Sequence, residues 1–392
     1  MWIERDISKT LIQQVKERPV LLLSGARQTG KTALSKEMFK DYGFVSLDLP
    51  RLAEEAEESG EQFLLKYKTP LIIDEVQYAP RLFRHLKHTV DSRRRENGLY
   101  VLTGSQKFSL MSGVRESLAG RVAVLDLHSL SLAELERFSK KTAEGKQLLE
   151  WMLRGGYPEL HAGSLDHERF YSDYVATYLE RDVRQVLQVK SLRDFDRFLR
   201  LIALRTGQML SLNSLASDVG VSPNTIKSWL SVLEASQIIC LLEPYYRNLG
   251  KRLVKTPKVY FLDTGLACFL MGFRTVTDIE HSALLGPLYE TLVLGQIIRR
   301  FANLGKSANV FFYRDHQGLE IDFVIPVGDK LKLYECKWAE KPPAIKGFYD
   351  LAGLVGEKKI ISKSIVSPVR GRRKTSDGVF VEDCVDLQVL TE

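Results

Sequence analysis

The chain has 392 residues, of which 44% are hydrophobic and 27% charged, and its formal net charge at pH 7 is +7. This length predicts about two to four domains, and the composition excludes an intrinsically disordered chain. There is no run of about 18 apolar residues and no apolar segment of a secretion signal, so we predict a cytoplasmic protein without a membrane span. The modest excess of positive charge slightly favours a polyanionic partner.

Five short apolar segments in residues 1–128 alternate with amphipathic segments, which is typical of a parallel sheet with crossover helices. Their high content of Val, Leu and Ile predicts strands that are buried on both faces. The predicted strands are residues 20–24, 44–48, 71–75, 100–104 and 122–127. We therefore predict that residues 1–128 form an α/β domain.

The segment after the first predicted strand matches the phosphate-binding pattern G-x-x-x-x-G-K-[ST] in full and opens a helical segment. Glycines in this pattern let backbone N–H groups surround phosphates, and the lysine reaches the β- and γ-phosphates. The hydroxyl of Thr32 is predicted to bind Mg²⁺ as well. The predicted ATP-binding residues of this segment are Gly25, Gln28, Thr29, Gly30, Lys31 and Thr32.

Three further candidate positions lie at the ends of later strands of this domain. Asp74 and Glu75 end the third strand, which predicts that Asp74 binds Mg²⁺ and that Glu75 is the general base for water. Ser105 ends the fourth strand, next to Thr103, and either orients the attacking water or belongs to a simple turn. Arg121 precedes the fifth strand, where it acts as an arginine finger, in cis or in trans, or forms a structural salt bridge.

After residue 130 the strand signals stop, and apolar residues follow helical spacing up to about residue 195. Residues 129–195 are therefore predicted to form a helical lid. Residues 196–262 then show a short helix, a turn at Gly220, a second helix that starts at Ser222 and Pro223, and two strands. This order predicts a winged-helix module.

The winged-helix module is a candidate for binding DNA. Four polar residues of its second helix are predicted to face outward, namely Asn224, Thr225, Lys227 and Ser228. The loop between its two strands is basic and is predicted to lie along a phosphate backbone. That loop carries Arg247, Lys251, Arg252 and Lys255, and Tyr245 and Tyr246 lie beside it. The alternative is that the module packs against the first domain or a neighbouring subunit.

Residues 263–392 show a helix, three strands, a helix and a further strand. Asp322 lies in the second of these strands, and Glu335 and Lys337 end the third. Antiparallel pairing of the two strands brings Asp322 close to Glu335 and Lys337, which share one face of their strand. Glu290, on the preceding amphipathic helix, is positioned to supply a third carboxylate.

The sequence resembles the AAA+-like P-loop ATPases of bacteria and archaea that carry a C-terminal domain of unknown function of the 4143 type. The resemblance covers the whole chain. It rests on GxRQxGKT at 25–32, the acidic strand with Gln77 behind it, TGS at 103–105, SLAGR at 117–121 and RGGYPE at 154–159. It implies a P-loop sheet of the ASCE type, with Asp74 and Glu75 as the Walker B pair and ATP hydrolysis as the activity.

The C-terminal part, residues 263–392, resembles the core of PD-(D/E)XK nucleases. The resemblance implies that Asp322, Glu335 and Glu290 bind Mg²⁺ or Mn²⁺ and that Lys337 orients or activates the attacking water. The proline that commonly precedes the first aspartate is absent, since Ile321 stands there. The alternative is an exposed hairpin whose acidic and basic residues have no catalytic role.

Two functions follow from these assignments. The first is a magnesium-dependent ATPase coupled to DNA binding or processing, with a metal-dependent nuclease site at the C-terminal end. The second is an ATP-driven switch whose inactive nuclease-like part binds protein partners. ATP is a predicted ligand in both, DNA is a predicted partner in the first, and the question of a homo-oligomer stays open.

Overall fold

The structure is a computed structural model that describes residues 2–105, 110, 113–179, 191–245 and 255–389. The five strands predicted in the first domain all form, and they pair in parallel in the order β2-β3-β4-β1-β5. Strands β1, β3 and β4 are buried along their whole length, as their apolar sequences predict. The strands are β1 Val20–Ser24, β2 Gly43–Ser46, β3 Leu71–Asp74, β4 Tyr100–Gly104 and β5 Val122–Asp126.

Helices connect these strands, and the carboxyl ends of all five strands lie at one edge of the sheet. Ser24 is in register with Gly104 and Asp126, and Ser46 is in register with Asp74. Because β4 lies between β1 and β3, the loop after β1 and the acidic end of β3 are one strand apart. The helices of this unit are α1 Ser8–Glu17, α2 Lys31–Met38, α3 Pro50–Glu58, α4 Gly60–Lys66 and α5 Leu82–Ser92.

A helical region follows β5, as predicted. Ser131 starts it with a capping box, in which its side chain accepts from the backbone N–H of Glu134 and the Glu134 carboxylate accepts from the backbone N–H of Ser131. The predicted helix that runs beyond Leu179 falls partly on residues 180–190, outside the described residues. The helices here are α6 Leu132–Ser139, α7 Gly145–Arg154, α8 Pro158–Ala162 and α9 His167–Tyr174.

The predicted helix-turn-helix and hairpin are both present in the next module. Gly220 adopts a left-handed conformation (φ +88°) at the turn, and Ser222 caps the second helix. One two-residue strand, β6, was not predicted and pairs with β8. The module comprises α10 Leu192–Ala203, β6 Gln208–Met209, α11 Leu212–Val219, α12 Pro223–Ala235, β7 Ile239–Leu242 and β8 Lys258–Phe261.

The basic loop of this module is only partly described. Tyr246, Arg247, Lys251 and Arg252 lie outside the described residues, and Lys255 is exposed. Tyr245, which was predicted to lie beside the loop, has a buried ring that packs edge-on against Phe311, with ring centroids 5.9 Å apart, so the ring is not exposed for a contact with DNA. Asn224, Lys227 and Ser228 are exposed on α12 as predicted, whereas Thr225 is half-buried.

The C-terminal part contains a mixed sheet in the order β13-β14-β12-β11-β10-β9. Its central strands β10 and β11 are antiparallel, with Phe323 opposite Tyr334, whereas β11, β12 and β14 are parallel. The last two strands were not predicted. The elements are α13 Thr264–Met271, α14 Val276–Glu280, α15 Leu285–Asn303, β9 Phe311–Arg314, β10 Glu320–Val327, β11 Lys330–Cys336, α16 Lys346–Val355, β12 Ile360–Ser367, β13 Arg372–Lys374 and β14 Phe380–Asp383.

Two helices of the C-terminal part pack against elements of the preceding modules. Helix α13 packs on α7, α9 and α10, and α15 contacts both β8 and β11. Because these helices pack across the predicted boundaries, the domain division at residues 128, 195 and 262 stays a prediction. Within the described ranges, no helix has the length and apolar character that crossing a bilayer requires.

Candidate active site

The loop between β1 and α2 has the geometry of a phosphate-binding loop. Gln28 (φ +60°) and Gly30 (φ +93°) both adopt positive φ values, which turn the backbone back on itself. A Cβ atom on Gly25 would lie 2.3 Å from the carbonyl oxygen of Leu127, so only glycine fits there. The hydroxyl of Thr29 donates to the carbonyl oxygen of Ala26 at 2.9 Å and stabilises the loop.

Lys31 is buried beneath this loop. Its Nζ donates to the carbonyl oxygens of Gly25 (3.0 Å) and Ala26 (2.9 Å). Burial lowers the pKa of Lys31 to about 8, although the nearby carboxylates of Glu75 and Asp74 act in the opposite direction. The ammonium group therefore lies at the loop with a charge that an anionic ligand would stabilise.

Thr32 and Asp74 meet at the end of β3. The Thr32 hydroxyl donates to Asp74 Oδ1 at 2.8 Å, and the Thr103 hydroxyl donates to the same oxygen. The Ser46 hydroxyl lies 3.4 Å from Oδ2. A hydroxyl and a carboxylate in contact are the oxygen ligands that Mg²⁺ prefers, so these residues fit the ion that the motif implies.

Glu75 is held in a defined position beside this pair. Its backbone has φ +53°, and its N–H donates to the Thr103 hydroxyl at 3.3 Å. Gln77 Nε2 donates to Glu75 Oε2, and the Ser105 hydroxyl lies 3.4 Å from the same oxygen. Among the described residues, these donors engage Oε2 and leave Oε1 without a hydrogen bond.

Gln77 itself is tightly enclosed. The side chain is buried, and its Oε1 has no hydrogen-bond partner within the described part of the chain. A Cβ atom on Gly104 would lie 2.5 Å from that oxygen, so a glycine at the end of β4 makes room for the amide. The amide is therefore placed by packing to donate to Glu75.

The C-terminal constellation also forms. The backbone N–H of Asp322 donates to Glu335 Oε2 (3.3 Å), and the backbone N–H of Cys336 donates to Asp322 Oδ2 (2.8 Å). Lys337 Nζ donates to Glu335 Oε1 at 2.9 Å. Burial, followed by the charge of Glu290, raises the pKa of Asp322 to about 7, and burial with the charge of Asp322 raises that of Glu335 to about 7.

Glu290, the predicted third metal ligand, forms hydrogen bonds with two side chains of β8. Its Oε1 accepts hydrogen bonds from Lys258 Nζ (3.0 Å) and from the hydroxyl of Tyr260, both on β8. In the part of the chain that the structure describes, no group of three or more His, Cys, Asp or Glu side chains could hold a metal ion. The expected three-carboxylate metal site is therefore not assembled, because a lysine and a tyrosine engage its third member.

Three family models match successive parts of the chain. Residues 17–136 match the family model described as AAA domain. Residues 145–277 and 285–382 match two models described as domains of unknown function, DUF8612 and DUF4143. Residues 17–136 are an AAA-type P-loop domain. The resemblance to PD-(D/E)XK nucleases is not among these matches and stays a prediction.

Two uncharacterised proteins are similar over much of the chain. Rv2008c of Mycobacterium tuberculosis is 28% identical over 382 residues, which cover 97% of this chain and 83% of that protein. MJ1637 of Methanocaldococcus jannaschii is 25% identical over 340 residues, which cover 72% of this chain and 69% of that protein.

Two solved structures are more distant. The Walker-type ATPase PABY2304 of Pyrococcus abyssi has a TM-score of 0.46 at 17% identity and covers 69% of this chain and 96% of its own. RuvB of Thermotoga maritima has a TM-score of 0.32 at 17% identity and covers 60% of this chain and 88% of its own.

Arg121 is not brought to the nucleotide site of its own AAA domain. It precedes β5 at the amino edge of the sheet, whereas the phosphate-binding loop lies at the carboxyl edge. Its Nε and Nη2 contact the two carboxylate oxygens of Asp91 at 2.6 and 3.1 Å. The structural salt bridge therefore describes Arg121 within this chain, and a role in trans stays a prediction.

Arg5 is a residue of the site that the sequence did not reveal. It is buried, and its Nη1 donates to the carbonyl oxygen of Thr29 in the phosphate-binding loop at 2.9 Å. Its Nη2 and Nε contact the carbonyl of His128 (2.6 Å) and Glu134 Oε1 (3.0 Å). No local pattern indicates this contact, because its partners lie up to 129 residues away.

Proposed function

We propose that the AAA domain hydrolyses ATP with magnesium and that Glu75 is the general base. The observation that carries the proposal is the convergence of Lys31, Thr32, Asp74 and Glu75 at the carboxyl edge of one sheet. The edge presents a positive charge, backbone N–H groups, a pair of oxygen ligands and a carboxylate close together.

Each residue has a defined part in this proposal. Lys31 exchanges its contacts with the two loop carbonyls for contacts with the β- and γ-phosphates. The Thr32 hydroxyl and the Asp74 carboxylate hold magnesium, which when bound offsets the negative charge of the phosphate oxygens. Glu75 accepts a proton from the attacking water.

Gln77 and Ser105 are positioning residues in the same proposal. Both donate toward Oε2 of Glu75, which fixes the plane of the carboxylate. Oε1 then faces no competing donor among the described residues and is available for water. Because they act through Glu75, their loss lowers turnover more than it lowers nucleotide affinity.

Steady-state ATP hydrolysis and nucleotide binding test this function in the full chain. We expect Lys31→Ala to abolish binding, and Glu75→Gln to bind ATP but to turn over at least about 100-fold more slowly. Gln77→Ala lowers kcat about tenfold at unchanged KM. The exposed Glu58→Gln is the matched control and keeps the wild-type rate. Absence of both ATP binding and ATP hydrolysis in the wild-type chain would refute the proposal.

A second candidate function is DNA cleavage by the C-terminal part. The contacts among Asp322, Glu335 and Lys337 favour it, and the exposed face of α12 offers the winged-helix module as a DNA contact. The alternative is a nucleotide-driven switch whose C-terminal part binds partner proteins. The engagement of Glu290 by Lys258 and Tyr260 favours that alternative.

Incubation of the protein with several DNA forms in Mg²⁺ or Mn²⁺, with and without ATP, distinguishes DNA cleavage from the nucleotide-driven switch. If cleavage is lost in Glu335→Ala at an unchanged ATPase rate, the nuclease is supported. If ATP turns over while no metal and no DNA form yields cleavage, the switch is supported.

A further inference from the structure

Lys258 is a fully enclosed cation in the middle of an acidic cluster. Its side chain is only 3% exposed, and its Nζ lies 3.0 Å from Glu290 Oε1 and 2.5 Å from Glu320 Oε1. It also lies 5.5 Å from the centre of the Phe312 ring. Both carboxylates contact the ammonium group directly and compensate its positive charge inside the protein.

The surrounding side chains are almost balanced in charge. We call Glu290, Glu320, Asp322 and Glu335 the C-terminal carboxylate cluster. Lys258, Arg314 and Lys337 contact it directly, so three cations face at most four negative charges. A divalent ion added to this arrangement would leave an excess of buried positive charge, which is costly in a medium of low polarity.

We propose that Lys258 is the built-in cation of the C-terminal carboxylate cluster and excludes divalent metal from it, so that Glu290, Asp322 and Glu335 bind a metal only when this ammonium group is removed. The inference concerns the site of the second candidate function and favours the nucleotide-driven switch, since a cluster that excludes divalent metal does not support metal-dependent cleavage. It does not require that the site cleaves DNA.

The contacts of Glu290 explain the exclusion. One of its oxygens accepts from both Lys258 and Tyr260, and a carboxylate held this way is not free to turn toward Asp322. Asp322 and Glu335 alone provide too few oxygen ligands for tight binding of a hard cation. Removal of the ammonium group takes away the positive charge at Glu290, which then keeps only the neutral Tyr260 hydroxyl as a donor, and leaves an uncompensated negative charge that attracts a metal.

Binding of Mn²⁺ to the full chain, followed by electron paramagnetic resonance, tests the inference without an activity assay. All variants carry Asp74→Asn, which removes the carboxylate ligand of the nucleotide site. We expect the C-terminal carboxylate cluster of Lys258→Met to bind Mn²⁺ at least about tenfold more tightly than the same cluster in the parent chain, which carries Asp74→Asn alone. Added Glu335→Ala abolishes this gain.

Two further variants make the result specific. Lys258→Gln keeps a hydrogen-bond donor for Glu290 while removing the charge, so it covers the case in which Lys258→Met does not fold. Lys332→Met is the matched control, since Lys332 is also buried, lies on β11 and contacts the carbonyl of Gln388 at 2.7 Å. It gains no metal site.

Two outcomes would overturn the inference. One is Glu335-dependent Mn²⁺ binding in the parent chain with the affinity of the Lys258 variants. The other is a folded Lys258→Gln or Lys258→Met, judged by circular dichroism, that binds no more Mn²⁺ than the parent. Glu335-dependent cleavage of DNA by the wild-type chain would support the second candidate function and contradict this inference, whereas absence of cleavage refutes that function and leaves the Mn²⁺ measurement as the test of the inference.

Discussion

Lys31 and Glu75 occupy motif positions, but side chains and backbone groups outside the motif determine how each is held. The carbonyls of Gly25 and Ala26 hold the Lys31 ammonium, and Gln77 and Ser105 hold the Glu75 carboxylate. The charge state of a catalytic group and its direction depend on such contacts. At this scale the site is therefore a set of prearranged acceptors around Lys31 and prearranged donors around Glu75.

The lowered pKa of Lys31 predicts proton uptake when ATP binds. With a pKa of about 8, Lys31 is about half protonated at pH 8 in the free protein, and the phosphates restore the full charge. We expect uptake of about half a proton per ATP at pH 8 and about a tenth at pH 7. Titration calorimetry in two buffers with different ionisation enthalpies measures it. Lys36 is exposed, and Lys36→Met is the control that leaves the proton uptake unchanged. If the wild-type chain takes up no proton at pH 8 when ATP binds, the prediction is wrong.

At the scale of elements, parallel pairing explains why distant segments form one site. The carboxyl ends of β1, β3 and β4 carry the phosphate-binding loop, the acidic pair and the Thr103–Ser105 segment, and they share one edge of the sheet. The same register explains why Arg121 does not reach the nucleotide site of its own chain, because it precedes a strand rather than following it. In the C-terminal sheet, the antiparallel pairing of β10 with β11 brings Asp322 to Glu335, and β8 adds Lys258 from another module.

At the scale of the whole molecule, Asp263 joins three parts of the chain. Its Oδ2 accepts from the Ser129 hydroxyl and from the N–H of Gly156, both at 2.9 Å, and its Oδ1 accepts from the Tyr171 hydroxyl at 2.9 Å. Arg299 on α15 donates to the same Ser129 hydroxyl at 2.6 Å. This buried network connects the end of the AAA domain, the helical region and the long C-terminal helix.

Asp263→Asn tests this connection. The asparagine amide group would point a donor at a donor, and a buried donor without a partner costs about 1–3 kcal/mol. We expect the free energy of unfolding, measured in urea, to fall by about 2–4 kcal/mol. The exposed Asp350→Asn on α16 is the control and changes stability by less than about 0.5 kcal/mol. An equally small effect of Asp263→Asn would show that the network does not stabilise the fold.

Much of the local structure could be predicted from the sequence. The five strands of the AAA domain, the turn at Gly220 and the strand pair that carries Asp322 and Glu335 all lie where apolar periodicity and turn residues place them, because these signals are local. The last two strands were missed. They are short, and β13 (Arg372–Lys374) is fully exposed and lacks an apolar pattern.

The phosphate-binding loop, the Asp74–Glu75 pair and the five strands of the first sheet can be predicted from the sequence, since each depends on neighbouring residues and backbone geometry. The side chains that hold these groups can be identified only in the folded chain. Gln77 at Glu75, Arg5 at Thr29, Asp91 at Arg121 and Lys258 at Glu290 are contacts between chain segments or across a turn. Their energy depends on burial and on the exact distance between charges, and no local pattern of residues encodes either quantity.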